Sequence, residues 1–466
     1  MLQRSLLILA LAAVELAAQT VDRTRPPQTP PIPSYKLPPV YETKLPNGLG
    51  IVLVEDSRFP LVTTRLNFRA GTKFDPSDRP GLAEAAASLL NEGTKTRTSR
   101  QISEETDAMG GSLNAAAGPD SLTISGSAVS ESLSRLLTLL ADVTLNATFP
   151  PEEVDLYKQN RIQNLRAERA EPSFQAREKL SEAIYGSSPY AHVAPTVQAI
   201  GKLDSKVIAA FRDTYLAPNN ATLLVIGRLP ARAELIKTVT QLFGSWQQRQ
   251  LPAAPDMATP APHRQIILVD RPGSVQADIH VGRAAPTRLS NDYFPLMVGN
   301  SVLGNGANSR MFRNIREKEG FAYDAHTEYN TKRDAADLAA VTQVRNEVIE
   351  PALRAVFAEL ENMASAPVPS QELTDTKNYL SGIYLLRLET QDGLANQLNN
   401  IQTLGLPNNY LETYTTRVRS VEPSQIQDVA KKYIAPEQDA VVVVGDAKKI
   451  GDAVRKFGDV TVVNAE

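Results

Sequence analysis

The feature that most restricts this chain is a repeat of order. "LLVIGRLPARAEL" at 223–235 and "VVVVGDAKKIGDA" at 441–453 each read as a buried strand, a glycine and a helix, roughly two hundred residues apart. The elements before them recur in matching order. From Tyr41, "YETKLPNGLGIVLVED" reads as a hairpin around Asn-Gly, and "LVTTRLNFRAGT" as another strand. Helices follow over 79–94 and about 98–110, then two strands joined at Gly118-Pro119-Asp120. Helices at Ser130–Leu145, Pro151–Arg169 and Ser173–Tyr185 lead to the closing strand. The second half gives strands "RQIILVDRP" and "VQADIHVGRA", helices at 291–304 and 308–318, and strands "FAYDAHTEYN" and "ADLAAVTQV". Long helices then run from about 347 to 433. Hairpins mixed with helices in this way indicate an α+β fold rather than a doubly wound parallel sheet, and the matching order indicates an internal duplication. The alternative, two unrelated α+β domains, leaves that matching order without a cause.

The domains are placed at 41–246 and 265–466, joined by a proline-dotted linker at 247–264, "QQRQLPAAPDMATPAPHR". Upstream, "MLQRSLLILALAAVELAAQ" has one basic residue, a short apolar run and then small residues, the layout of a secretory signal peptide over 1–18. An uncleaved membrane anchor is the lesser alternative, because the run is short for a bilayer. Residues 19–40, with seven prolines between 21 and 40, read as an extended tether. The expected location is therefore outside the cytoplasm, in the periplasm. A formal net charge of −3 gives no support for nucleic-acid binding. The absence of cysteine excludes disulfides, thiolate zinc sites and a cysteine nucleophile. Only four histidines occur, none before His192, and no two lie close enough in sequence for a local metal site.

Four stretches carry a family resemblance: "LPNGLGIVLVED", "GLAEAAASLLNEGT", "EPSFQAREKLSEAIYGSSPYAHV" and "SRMFRNIREKEGFAYDAHTEY". On them the chain resembles, from about 41 to 460, the M16 peptidases, the pitrilysin-like zinc enzymes that include mitochondrial processing peptidase. The resemblance implies two homologous metallohydrolase domains, each a mainly antiparallel sheet packed against helices. Active members carry His-x-x-Glu-His on the first-domain helix, with a third ligand, a glutamate, on a later helix. There the histidines bind zinc one turn apart and the glutamate between them polarises water. In register with Gly81 and Gly93-Thr94, the histidine positions hold Glu84 and Ser88 and the base position holds Ala87. Counting back from Glu171-Pro172, the third ligand position holds Asn164. The expectation is a degenerate site, with no zinc bound by this chain.

The resemblance also implies an arginine and a tyrosine seven residues apart in the second domain. They match Arg316 and Tyr323, with Arg316 on the last turn of a helix that Gly320 stops and Tyr323 opening the next strand. Arg316 could hold peptide carbonyls, and the Tyr323 hydroxyl could donate to an oxyanion. The plainer account pairs Arg316 with Glu317 or Glu319 and packs Tyr323 into the sheet. "VLGNGANSRMF" lacks the P-loop lysine and spacing, so it is either a tight loop near the substrate chamber or a packing turn. His192 stands alone and reads as structural. The resulting expectation is a non-catalytic subunit of an exported heterodimeric M16 zinc peptidase. It would supply Arg316, Tyr323 and half of a chamber for unstructured peptides to a partner that carries His-x-x-Glu-His and the zinc. The alternative is a structural or binding pseudopeptidase without proteolytic work.

Overall fold

Two apolar runs, Ile51–Val54 and Val441–Val444, are buried without alternation. A sheet strand buried in this way is covered on both faces. The computed structural model, which describes residues 36–257 and 259–465, shows what covers them. The signal peptide read at 1–18 and nearly all of the tether lie outside the described residues. The first strand starts at Val40, the last residue assigned to the tether, and Leu37 and Val40 already pack against the core. Among the described residues no helix is long and apolar enough to cross a membrane.

The first sheet contains β1 (Val40–Lys44), β2 (Gly50–Glu55), β3 (Leu61–Phe68), β4 (Ser112–Ala117), β5 (Leu122–Val129) and β6 (Ala221–Gly227), in the order β1-β2-β6-β3-β5-β4. The second contains β7 (Gln265–Asp270), β8 (Gln276–Ala285), β9 (Ala322–Thr331), β10 (Ala336–Arg345), β11 (Ala440–Gly445) and β12 (Val460–Asn464), in the order β12-β7-β11-β8-β10-β9. Five strands correspond one to one. In each half the first of them lies parallel to the last (β2 with β6, β7 with β11), and the other three join by antiparallel pairing. The sixth place differs. β1 fills it antiparallel from the N-terminal side, and β12 fills it parallel from the C-terminal side. β12 was not expected from the sequence.

The repeated glycines have a packing reason. A Cβ on Gly227 would lie 2.2 Å from the Leu61 carbonyl of the neighbouring strand. One on Gly445 would lie 2.8 Å from Ile450 of the following helix.

The two halves complete each other. Helix 172–185 belongs to the first half by order, yet it packs on β8 and β11 of the second sheet. Its Ala176, Leu180 and Ile184, four residues apart and so on one face, meet Val442 and Val444. Its counterpart, helix 391–404, packs on β3 and β6 of the first sheet, where Leu394 and Leu398 join Val52, Val54, Leu224 and Ile226. Polar contacts fix the exchange. Gln391 Nε2 donates to the Asp56 carbonyl at 3.1 Å, and Asn67 Nδ2 to Thr403 Oγ1 at 3.2 Å. Arg65 pairs with Asp392, and Arg271 Nη2 donates to the Ala170 carbonyl at 2.7 Å. Lys73, only 4% exposed, bridges Asp120 of one half (2.9 Å) and Asp334 of the other (2.8 Å). The stretch 247–264 has no helix or strand among its described residues.

This shared core makes a definite prediction. A fragment ending at residue 246 leaves one face of its sheet bare and is expected to aggregate, while the intact chain unfolds in one transition. Leu180→Ala, at a buried contact between the halves, is expected to cost about 3 kcal/mol across that transition. Denaturant unfolding followed by Trp246 fluorescence and circular dichroism checks this. Two separated transitions, or a natively folded fragment, would refute the shared core.

Candidate functional site

The place matched to a catalytic helix is a short, smooth one. Helix 82–88 buries Leu82, Ala83, Ala85, Ala86 and Ala87 and leaves Glu84 and Ser88, one turn apart, on its outer side. It is shorter than the 79–94 read from the sequence. Leu89 and Leu90 both turn into the core, and the chain leaves the helix to do so. Gly81, with φ +93°, makes the entry turn, and the Asp75 carboxylate accepts from the amides of Gly81 (2.7 Å) and Ala83 (2.8 Å). It thereby satisfies donors that no cap side chain reaches. Burial pushes the Asp75 carboxyl up to about 7, against the pull of those amides.

Facing this helix is helix 151–170, where Arg161, Asn164 and Glu168 fall at i, i+3 and i+7 on one face. Asn164 is exposed. Arg161 Nε lies 3.2 Å from Glu84 Oε1, and its Nη1 donates to Glu168 Oε2 at 3.0 Å. Burial raises the Glu84 carboxyl and Arg161 opposes that rise. The residues therefore do not fit zinc. Of the ligand positions only Glu84 carries a ligand-type group, and a guanidinium already occupies it. Ala87 is buried and has no base to offer. Among the described residues no cluster of three histidine or carboxylate groups could hold a metal. Arg161 and Glu168 were not singled out from the sequence, although their shared face with Asn164 was readable there.

The Glu84–Arg161–Glu168 group lies on the wall of a cavity of about 820 Å³ between the halves, which His280, Glu328 and Lys332 also line. Burial pulls His280 down to about 4, so it is neutral there. His192 stands exposed on the same wall.

Arg316 and Tyr323 are brought together elsewhere. Helix 310–318 widens into a π-helical turn over Phe312–Lys318, where a regular helix was expected, a distortion common at functional positions. Gly320, with φ +65°, ends it, and β9 begins at Ala322. The Arg316 guanidinium carbon sits 4.4 Å from the Phe312 ring centroid and 5.0 Å from that of Tyr323. Among the described residues Arg316 enters no ion pair with Glu317 or Glu319. Tyr323 is 85% exposed and does not pack into the sheet. The pair does not line the 820 Å³ cavity. It lies at the start of β9, an edge strand that pairs, among the described residues, with β10, and Glu328 of the cavity wall stands farther along that strand. Five strand residues span about 17 Å. Gly304, which ends the helix before the glycine-rich turn, has a packing role: a Cβ there would meet the Thr327 amide nitrogen at 2.4 Å.

Comparison with known proteins is consistent across the chain. Residues 51–194 match the family described as insulinase (peptidase family M16), and residues 202–380 match the peptidase M16 inactive domain. An uncharacterized zinc protease, YmxG of Bacillus subtilis, is 21% identical over 83% of this chain and 93% of its own length. A protein of Helicobacter pylori named non-peptidase homolog YmxG is 22% identical over 86% of this chain and 92% of its own. Among solved structures, a peptidase M16 inactive domain from Pseudomonas fluorescens superposes with a TM-score of 0.81 at 23% identity, covering 87% of this chain and 98% of that one. A protease of Helicobacter pylori gives 0.81 at 19% identity, covering 88% and 100%.

The Asp75 environment predicts a pH dependence. Its folded pKa is raised above the ordinary value of about 3.9. The stability it contributes is therefore complete below that value and lost as pH rises through about 7. Unfolding free energies measured from pH 4 to 8 are expected to fall by a term that Asp75→Asn lacks. Parallel profiles for the two proteins would remove Asp75 as the source.

Proposed function

The chain belongs to the M16 peptidase family, and on that premise we propose that it is a non-catalytic subunit working beside a catalytic one. The partner would carry His-x-x-Glu-His and the zinc. This chain would contribute Arg316, Tyr323 and half the wall of a chamber that takes unstructured peptides. Residues 1–18 would direct it out of the cytoplasm, to the periplasm.

The observation that carries this reading is the contrast between the two sites. The zinc-ligand positions hold Glu84, Ser88 and Asn164, and an arginine closes the cleft between them. The arginine and tyrosine are present and in cation–π contact, the arginine half-buried and the tyrosine open to solvent. The guanidinium fork can hold peptide carbonyls, and the phenol can donate to an oxyanion in a site completed by another chain. The free edge of β9 beside the pair suits an extended peptide added as a further strand.

The test starts from the M16 chain with His-x-x-Glu-His encoded nearest to this one, produced together with it. The pair is expected to cleave unstructured peptides that neither chain cleaves alone. Tyr323→Phe is expected to lower turnover roughly a hundred- to a thousandfold, the usual loss for one oxyanion donor. Arg316→Ala is expected to raise KM as well. Both variants are expected to assemble normally. Full activity from the double variant would reduce this chain to a structural pseudopeptidase.

A further inference from the structure

We propose that Arg161 is a built-in substitute for the missing metal ion, tying helix 82–88 to helix 151–170 and barring a divalent cation from the cleft between them. The argument begins with position. Residues 161, 164 and 168 share a face of their helix, so the Arg161 side chain leaves from one turn before the third ligand position. It reaches Glu84, the first ligand position, at 3.2 Å, and so spans the gap that a metal would bridge. Its second arm goes to Glu168 at 3.0 Å. A zinc site joins two helices through one cation held by groups from both. Here one cation joins the same two helices, covalently attached to one of them and held by a carboxylate from the other.

Charge and burial support the substitution. The Arg161 side chain is 10% exposed, with a carboxylate on either side. Removing the guanidinium leaves Glu84 facing Glu168 across a partly desolvated cleft, a like-charge contact that costs stability. Tyr157, one turn before Arg161, packs partly buried against the first-half core, and burial raises its hydroxyl pKa with the Glu84 and Asp75 charges adding to the rise. The guanidinium is permanently charged, so its hold does not depend on pH in the physiological range. A divalent ion placed beside it would meet direct repulsion, and Glu168 still holds the guanidinium in the cleft when position 84 is changed. Restoring the ligands alone is therefore not enough to restore the site.

The experiment compares two redesigned chains. The first carries Glu84→His, Ala87→Glu, Ser88→His and Asn164→Glu. The second carries these four changes and Arg161→Val. Zinc affinity is read by competition with a chromogenic chelator, and folding by circular dichroism. The expected result is one zinc per chain in the five-site variant and at least hundredfold weaker binding in the four-site variant. Equal affinity in the two, or no zinc in a natively folded five-site variant, would overturn the proposal. A second measurement uses the otherwise unaltered sequence and needs no metal. Arg161→Gln and Glu84→Gln are each expected to lower the melting temperature by several degrees, while together they lower it little more than either alone. An additive double-mutant cycle would show that the two side chains do not act as one clasp, and would overturn it equally.

Discussion

The interaction on which the rest of the structure depends is the exchange of helices 172–185 and 391–404 between the two halves. Each sheet needs cover on both faces, and each half brings enough helix of its own for only one. The second face of the first sheet, carrying Val52, Val54, Leu224 and Ile226, is closed by the second half. Val442 and Val444 are closed in return by the first. Because the halves are duplicates, the same solution appears twice, on β3 and β6 in one direction and on β8 and β11 in the other. The burial this gives is that of a domain interior rather than of a linker-joined contact.

That exchange also fixes the cleft. Helix 151–170 runs into helix 172–185 with only Glu171 between them, so docking the second onto the far sheet anchors the first. Arg161 and Glu168 are thereby held opposite helix 82–88, whose own entry is held by Asp75. The cavity between the halves opens where these elements meet β9 and β10. Its walls come from both halves, so the cleft is an outcome of the duplicated architecture as much as of the local sequence. Buried Lys73 binds carboxylates of both halves and contributes to the same closure.

Much of this was readable in the letters. The repeat of strand, glycine and helix gave away the duplication, because close packing forbids a side chain at Gly227 and Gly445. The residues matched to the ligand positions, Glu84, Ser88 and Asn164, come from the register that the family resemblance gives. The exchange was not readable, because an apolar helix face names no particular sheet as its cover; the unbroken apolar runs Ile51–Val54 and Val441–Val444 hinted only that both faces are covered. β12 was missed because it is a short edge strand, half-exposed, although the Gly458-Asp459 turn before it was there to be read. The π turn uses the same residues an ordinary helix would. Arg161 was missed for a different reason: a search for ligand types passes over an arginine, although its spacing from Asn164 and Glu168 marked the face.

The two sites differ in what the fold gains from them. Ala87 is buried and packs the core, and Glu84 is half of an ion pair that spans two helices. Each position of the first site has thus either been absorbed into the fold's own stability or left to solvent, as Ser88 and Asn164 are. Tyr323 has gone the other way. At 85% exposure it buries almost nothing, and beyond its stacking on Arg316 it adds little to the sheet in which it stands. A large aromatic ring exposed beside a guanidinium that enters no ion pair among the described residues adds little to folding and risks unwanted association. Stability accounts for the first set of residues and for little of the second, which is the pattern the proposed role of Arg316 and Tyr323 at a peptide requires.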